Sequence, residues 1–184
     1  MLNYVQRTMI RKISIILLSL IIISTLYIVY IIYNPVSPLE TVQNDDSTIS
    51  ITYSRPFKKN RLIFGKESDT ALVPYGKYWR TGANKHTFIK NNGDIEINGK
   101  LLSSGEYSIF SIPGENEWEV FFNSNINYFG SVRPDISDDI ISIKVPVINL
   151  LNEVEQLTID FEKDSIFNYI SIKWDLSKVI IPFR

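Results

Sequence analysis

The sequence predicts an all-β domain, an antiparallel β-sandwich of jelly-roll-like or barrel-like form, preceded by one N-terminal transmembrane helix. Two observations lead to this class. From residue 48 onward, apolar residues recur at every second position in short runs, and turn-forming residues separate these runs about every 8 to 12 residues, as in sandwiches and barrels. Before them, residues 13–33 form a run of 21 residues without a charged side chain.

The apolar run at residues 13–33 is long enough to cross a bilayer as a helix. At about 1.5 Å per residue it spans about 31 Å, against roughly 30 Å of hydrocarbon. Arg7, Arg11 and Lys12 lie in the basic segment 1–12 before it, and basic residues favour the cytoplasmic side. We therefore expect a single-pass anchor in the lipid bilayer, with the N-terminus cytoplasmic and the C-terminal domain periplasmic or extracellular.

Two other interpretations of this run stay open. A cleaved signal peptide usually has an apolar region of about 7 to 15 residues that ends at a pair of small residues, whereas residues 28–33 offer no such site. A buried core helix is the other alternative, but a helix that is apolar all round is typical of contact with lipid.

The charge balance argues against nucleic acid as a partner. Without the three basic residues of segment 1–12, the chain keeps 16 Lys and Arg against 20 Asp and Glu. A mildly acidic domain lacks the basic surface that binds phosphate backbones.

The anchor is predicted to end at Asn34-Pro35, because proline disfavours helical geometry in the residue before it. Residues 34–47 are mostly polar, contain a further proline and show no apolar period. We interpret them as a linker, and residues 48–184 as the β-sandwich domain.

The first predicted strand is residues 48–54, where strict alternation places Ile49, Ile51 and Tyr53 on one face. Two hairpins follow, formed by residues 94–97 with 100–102 and by 106–112 with 118–123, and residues 157–161 and 169–174 are another antiparallel neighbour pair. Asn98-Gly99, in the first hairpin, is the strongest short hairpin signal. Residues 140–147 and 179–183 are further strands, whereas residues 147–155 fit either a short helix or a loop.

Several chemistries lack the residues they need. The chain has no cysteine and one histidine, too few of the common ligands for a zinc site. It has no Gly-x-Ser-x-Gly motif to supply a nucleophile. The acidic cluster at residues 135–139 could offer oxygen ligands to calcium, but Asp and Ser there are also typical of a solvated turn. We predict no catalytic residue, no metal and no cofactor.

The segment at residues 73–87 is the best candidate for a binding site, because it combines aromatic and polar side chains with two glycines and a proline. If the end of the first strand meets it, arginine side chains there could clamp a carboxylate or phosphate. The candidate ligand-binding residues are Tyr53, Arg55, Tyr75, Trp79, Arg80 and Asn84.

A structural role for these residues is the alternative. Trp79 alone could plug one end of the core, because an aromatic side chain buries about 150 to 250 Å². The arginines could pair with Asp and Glu of the same domain. For His86, a strand-edge histidine with a satisfied ring is favoured over a catalytic base.

The chain resembles a known family most clearly at residues 73–84, which read Val-Pro-Tyr-Gly-Lys-Tyr-Trp-Arg-Thr-Gly-Ala-Asn. Further matching motifs are Ile51-Thr52-Tyr53-Ser54-Arg55-Pro56, Arg61-Leu62-Ile63-Phe64-Gly65, Gly105-Glu106-Tyr107-Ser108, Val154-Glu155-Gln156-Leu157-Thr158-Ile159 and Trp174-Asp175. In this order and spacing they resemble the domain-of-unknown-function 2911 family of bacterial proteins, over residues 48 to 183.

The resemblance implies an exported, β-rich domain and carries over no activity, substrate or catalytic residue. Two positions depart from the family pattern. His86 stands where the family more often has glutamate or a small polar residue, and Phe129-Gly130 replaces a Trp-Gly pair.

These observations together predict a membrane-anchored binding module for a small ligand, a glycan or an envelope partner such as a peptide or protein. One alternative is a structural envelope or accessory protein without a small-molecule site. The other is a carboxylate-dependent hydrolase or isomerase, which would need two acidic side chains about 5 to 9 Å apart in a cleft.

Overall fold

The structure, a computed structural model, describes residues 4–126, 130–165 and 167–184. The chain divides into two compact units, Met1–Val36 and Ser37–Arg184. The first unit holds one α-helix, α1 (Tyr4–Tyr33). Its segment Gln6–Tyr33 has 28 residues and contains an 18-residue window with a mean hydropathy of 2.8, so it is long and apolar enough to span a membrane.

Helix α1 begins before the predicted span 13–33. The basic residues Arg7, Arg11 and Lys12 lie within it, because Arg and Lys are good helix formers and continue the helix beyond the apolar run. The prediction of one N-terminal helix apolar enough to cross a membrane is confirmed.

The second unit consists of strands, with two short 3₁₀ turns at Glu67–Asp69 and Ile136–Asp138. The strands are β1 (Leu39–Gln43), β2 (Ile49–Ser54), β3 (Phe64–Gly65), β4 (Val73–Pro74), β5 (Thr87–Asn91), β6 (Ile95–Ile97), β7 (Lys100–Leu102), β8 (Gly105–Pro113), β9 (Glu117–Asn123), β10 (Asp139–Pro146), β11 (Ile148–Lys163) and β12 (Asn168–Phe183).

Two antiparallel sheets form the domain. The first has six strands in the order β1-β2-β5-β8-β9-β10, and the second has four in the order β11-β12-β6-β7. Neighbouring strands of the first sheet follow one another in chain order, except that β3, β4, β6 and β7 lie outside this sheet. A short parallel pair, β3–β4, stands apart from both sheets. The predicted all-β antiparallel class with one N-terminal helix is confirmed.

The inner faces of both sheets contribute to one hydrophobic core. Ile49, Ile51 and Tyr53 are buried on one side of β2, as their alternation predicts. From the second sheet, β12 contributes Ile172 and Trp174 to the same core. Because the two inner faces pack against each other, the arrangement is that of a sandwich.

The interval interpreted above as a linker, residues 34–47, contains strand β1. Leu39–Gln43 pairs with β2 along its whole length, from Leu39↔Ser54 to Gln43↔Ser50. The strand lies at the edge of its sheet and is largely exposed, so it needs no apolar alternation. This is why the sequence pattern did not reveal it.

The two predicted hairpins and the predicted antiparallel neighbour pair form. At the first turn Asn98 and Gly99 both have positive φ, 46° and 81°, as a two-residue hairpin turn with matched twist requires. Residues 147–155, interpreted above as a helix or a loop, belong mostly to strand β11. Its register shifts between Asn149 and Val154, and Leu151 in this bulge is 99% exposed, so the two-residue period is lost.

The acidic cluster at residues 135–139 is engaged within the turn that precedes β10. The Asp135 carboxylate accepts hydrogen bonds from the backbone N–H and the hydroxyl of Ser137, both at 2.9 Å. Asp139 forms an ion pair with Arg133 at 2.6 Å. These contacts agree with the turn interpretation of the cluster.

Candidate functional site

Trp79, the centre of the predicted site, lies in the core. Its ring is 7% exposed and stacks on Trp174 with 6.0 Å between ring centroids. Its backbone exchanges two hydrogen bonds of 2.8 Å with Ser111, and its indole N–H donates to Gly82 O at 3.2 Å. A ligand could not stack on this ring without opening the core, so the geometry favours the structural alternative for Trp79.

Tyr53 and Arg55 connect the two sheets. The Tyr53 hydroxyl accepts a hydrogen bond from the Ile159 N–H at 2.9 Å, and burial raises the pKa of Tyr53 to about 12. Arg55 donates to Leu157 O at 3.0 Å and pairs with Glu40 at 2.6 Å. Both side chains therefore have structural partners on β1 and β11.

The three other candidates lie on the loop between β4 and β5. Tyr75 is half-buried and packs against the core, and burial raises the pKa of its hydroxyl. Arg80 donates a hydrogen bond to the backbone oxygen of Asn84 at 2.8 Å. The structure thus brings Arg80 and Asn84 together beside Trp79, while the polar contacts of Tyr53 and Arg55 are made elsewhere.

His86, the lone histidine, is buried with 1% of its surface exposed. Its Nε2 atom lies 2.5 Å from the hydroxyl oxygen of Tyr78. Burial, reinforced by the nearby charge of Arg80, lowers the pKa of His86 to about 4. The ring is therefore neutral near pH 7 and is held in the interior by a hydrogen bond.

A small cavity of about 160 Å³ lies against this loop. It is lined by Leu72, Val73, Pro74, Tyr78, Trp79, Arg80, Gly130 and Ser131. Phe129, where the family pattern has tryptophan, lies outside the described residues. None of the described lining residues is a carboxylate, so this cavity lacks the acidic pair that a carboxylate-dependent hydrolase requires.

A larger cleft of about 370 Å³ lies at the β6–β7 hairpin and the two ends of β12. We call it the aromatic cleft. Its lining residues are Glu96, Asn98, Gly99, Phe167, Tyr169, Pro182, Phe183 and Arg184. Its volume falls within the range of about 300 to 1,000 Å³ that is usual for small-molecule sites.

Aromatic rings form one part of the aromatic cleft. Phe167 is 48% exposed and is the one exposed aromatic side chain among the described residues of the domain. The ring of Tyr169 lies 6.3 Å from it, centroid to centroid. The Tyr169 hydroxyl donates to Asp164 at 2.6 Å, which holds this ring in place.

Polar groups form the other part of the aromatic cleft. Arg184 donates from Nη2 and Nε to one oxygen of Glu96, at 2.8 and 3.1 Å. The backbones of the same two residues exchange hydrogen bonds of 2.8 and 3.1 Å. The Asn98 N–H donates to Pro182 O at 2.8 Å, so the backbone behind these polar side chains is fixed.

An acidic pocket of about 170 Å³ shares Phe183 with the aromatic cleft as a common wall. Its lining residues are Asn44, Asp45, Asp46, Phe161, Glu162, Lys163, Asn168 and Phe183. Burial acts to raise the pKa of Glu162, but hydrogen bonds from Lys173 and Lys178 outweigh it and lower this pKa to about 2. Asp45 in turn pairs with Lys163 at 2.6 Å, so ion pairs with lysines balance two of the three carboxylates in the lining.

Sequence reasoning missed the aromatic cleft because its parts are far apart in the chain. Phe167 lies beside the β11–β12 hairpin turn, and an apolar residue at such a turn is a local sign of an exposed side chain. Nothing local shows that it comes near Asn98-Gly99. That proximity depends on long-range contacts: Phe183 at the end of β12 pairs with Ile97, and its ring packs against Phe161 of β11, the strand that pairs with the start of β12.

Comparison with known families and proteins adds one finding. A family model described as protein of unknown function (DUF2911) matches residues 37–183. Searches of curated proteins and of solved structures find no match.

Proposed function

Because the chain belongs to the DUF2911 family, whose function is unknown, we propose its function from its own geometry: a membrane-anchored module that binds an uncharged glycan in the aromatic cleft. Helix α1 would hold the protein in the bilayer with its N-terminus in the cytoplasm. The β-sandwich would then lie on the outer side, periplasmic or extracellular.

The observation that carries this proposal is the combination of the exposed ring of Phe167 and the half-exposed ring of Tyr169 with polar side chains on a fixed backbone in one cleft. Phe167 and Tyr169 offer apolar faces on which a sugar ring can stack. Glu96, Asn98 and Arg184 offer both acceptors and donors for sugar hydroxyls. Ligand sites typically combine an apolar surface with a few well-placed polar groups in this way.

The charges around the cleft support an uncharged ligand. Arg184 is paired with Glu96, so neither side chain offers an unbalanced charge to a ligand. Among the described residues the adjoining acidic pocket adds no unpaired cation for an anionic sugar, because Lys163, Lys173 and Lys178 each pair with Asp45 or Glu162. A neutral oligosaccharide fits both conditions.

We expect Phe167→Ala to weaken disaccharide binding roughly fivefold, since loss of one stacked ring costs about 1 kcal/mol and a tenfold change corresponds to about 1.4 kcal/mol. The full chain in amine-oxide detergent micelles, which contain neither sugar nor phosphate, would be titrated with N,N′-diacetylchitobiose, cellobiose and maltose by calorimetry. Leu151→Ala, an exposed apolar residue away from the cleft, is the control and should bind like the wild type. If none of the three disaccharides binds, or if both variants bind equally, the proposal is wrong.

The membrane topology can be tested separately because the chain has no cysteine. We expect Asn92→Cys, on the domain, to react with a membrane-impermeant maleimide on intact cells. Met9→Cys, before the apolar run, should react only after the cells are permeabilised. The reverse labelling pattern would overturn the proposed orientation, and labelling of neither position before permeabilisation would place the domain inside.

A further inference from the structure

We propose a second binding site, at Arg80 on the loop between β4 and β5, for a small oxyanion, that is, a carboxylate or a phosphate group. The site is the cavity of about 160 Å³ described above. It is independent of the proposed glycan site, because the two cavities share no lining residue.

The side chain of Arg80 is held in position before any ligand binds. Its Nη1 atom donates to Asn84 O at 2.8 Å. Its stem packs against Gly130, so tightly that a Cβ atom added there would lie 2.9 Å from Arg80 Cδ. Gly130 has a φ of +87°, which an L side chain rarely adopts. A fixed guanidinium loses little conformational entropy when it binds an anion.

The charge of Arg80 is not balanced by an ion pair within the part of the chain that the structure describes. Among the described residues no Asp or Glu oxygen forms an ion pair with it, whereas Arg55, Arg133 and Arg184 each have such an oxygen at 2.6 to 2.8 Å. The structure does not describe residues 1–3, 127–129 and 166, and the sequence has no Asp or Glu at these positions. A half-buried cation without a carboxylate partner favours an external anion.

The groups around Arg80 do not compete for this anion. His86 is neutral near pH 7, because burial and the charge of Arg80 hold its pKa at about 4. Burial raises the pKa of Tyr78 to about 12, against the opposing charges of Arg80 and Arg133. The charge of Arg133 is balanced by Asp139. Arg80 is therefore the cation that would bind the ligand.

The size of the cavity limits the ligand. About 160 Å³ is below the usual range of about 300 to 1,000 Å³ for drug-sized molecules, so a group of a few heavy atoms fits best. Leu72, Val73 and Pro74 are apolar lining residues, and Ser131 adds a hydroxyl-bearing side chain to the lining, whereas the Tyr78 hydroxyl is already engaged with His86 and Gly130. A carboxylate or phosphate group with a small apolar substituent matches this lining.

The test is an NMR titration of the full chain in amine-oxide micelles with sodium acetate and, separately, with sodium phosphate. Sodium chloride at equal ionic strength is the reference, and the signal followed is the Nε–Hε group of Arg80. We expect saturable shifts with a Kd on the order of 1 to 10 mM for at least one of the two oxyanions. Shifts that match those in sodium chloride would overturn the proposal.

Four variants make the assignment specific to Arg80, with binding followed through backbone amide shifts of the loop. Arg80→Gln should weaken binding at least tenfold. Arg61→Gln is the matched control, because the Arg61 guanidinium also donates only to backbone oxygens, those of Phe57 and Lys58, and it should bind like the wild type. Equal loss in both variants would contradict the site.

Arg80→Lys covers the case in which Arg80→Gln does not fold. Lysine keeps the positive charge but lacks the planar guanidinium, whose parallel N–H groups can bind both oxygens of a carboxylate. Acetate binding should therefore fall more than phosphate binding. A lysine variant that binds both anions as the wild type does would exclude a role for the guanidinium. Phe167→Ala should leave oxyanion binding unchanged, which separates failure of this site from failure of the glycan cleft.

Discussion

Replacing Trp79 by alanine should destabilise the domain by about 3 to 5 kcal/mol, the usual cost of deleting a buried aromatic side chain. The indole is 7% exposed and contacts three aromatic rings, those of Phe64, Trp118 and Trp174, with centroids 5.5 to 6.0 Å away. The substitution would leave a cavity among these rings and remove the hydrogen bond to Gly82 O. Guanidinium unfolding of the full chain in micelles measures the effect as a lower midpoint with unchanged slope.

Phe167→Ala is the matched control for this experiment. Phe167 is an aromatic residue of the same domain but is 48% exposed, so its removal should change the unfolding free energy by no more than about 0.5 kcal/mol. If Trp79→Ala cost less than about 1 kcal/mol, the indole would not be a core residue. Trp79 would then again be a candidate for direct contact with a ligand.

The second large effect we expect is a loss of stability as the pH falls from about 6.5 to about 4, caused by His86. In the folded protein burial and the charge of Arg80 lower the pKa of this ring from 6.5 to about 4. Between these values the unfolded chain binds a proton that the folded chain does not, so lower pH favours unfolding. The stability that the neutral His86 ring contributes is fully present above pH 6.5. Below this pH the unfolding free energy falls by up to about 1.4 kcal/mol per pH unit.

The measurement is a series of urea unfolding curves between pH 4 and pH 7.5 for the wild type and for His86→Gln, which cannot titrate. Asp and Glu also protonate near the lower end of this range, but they do so in both proteins. The informative quantity is therefore the difference between the two slopes. Parallel pH profiles for the two proteins would contradict the burial of a neutral His86.

Local signals in the sequence were sufficient for much of the fold. Strict alternation at residues 48–54 predicted which face of β2 is buried, and Asn98-Gly99 predicted the β6–β7 hairpin. Both depend on short-range geometry, the two-residue period of a strand and the positive φ of a tight turn. Helix α1 was predicted for a similar reason, because a long apolar run indicates a helix without any information about neighbouring segments.

Two parts of the fold lacked such a signal. Strand β1 lies at a sheet edge with half-exposed side chains, and the first part of β11 contains a bulge at Leu151. A strand without a continuously buried face shows no alternation, so it resembles a linker or a loop. For β11 the register shift itself interrupts the period.

The sequence by itself determined the N-terminal helix that is apolar enough to span a membrane, the antiparallel β class, the family and the aromatic segment around Trp79. Only the tertiary structure decided that Trp79 is a core residue, that Arg80 forms no ion pair with a described Asp or Glu, and that Glu96 meets Arg184 across 88 positions of the chain. Alternation shows that a residue faces inward or outward, but it does not show which strand lies beside it. A binding site built from several strands depends on those neighbours, because long-range pairing brings its side chains together.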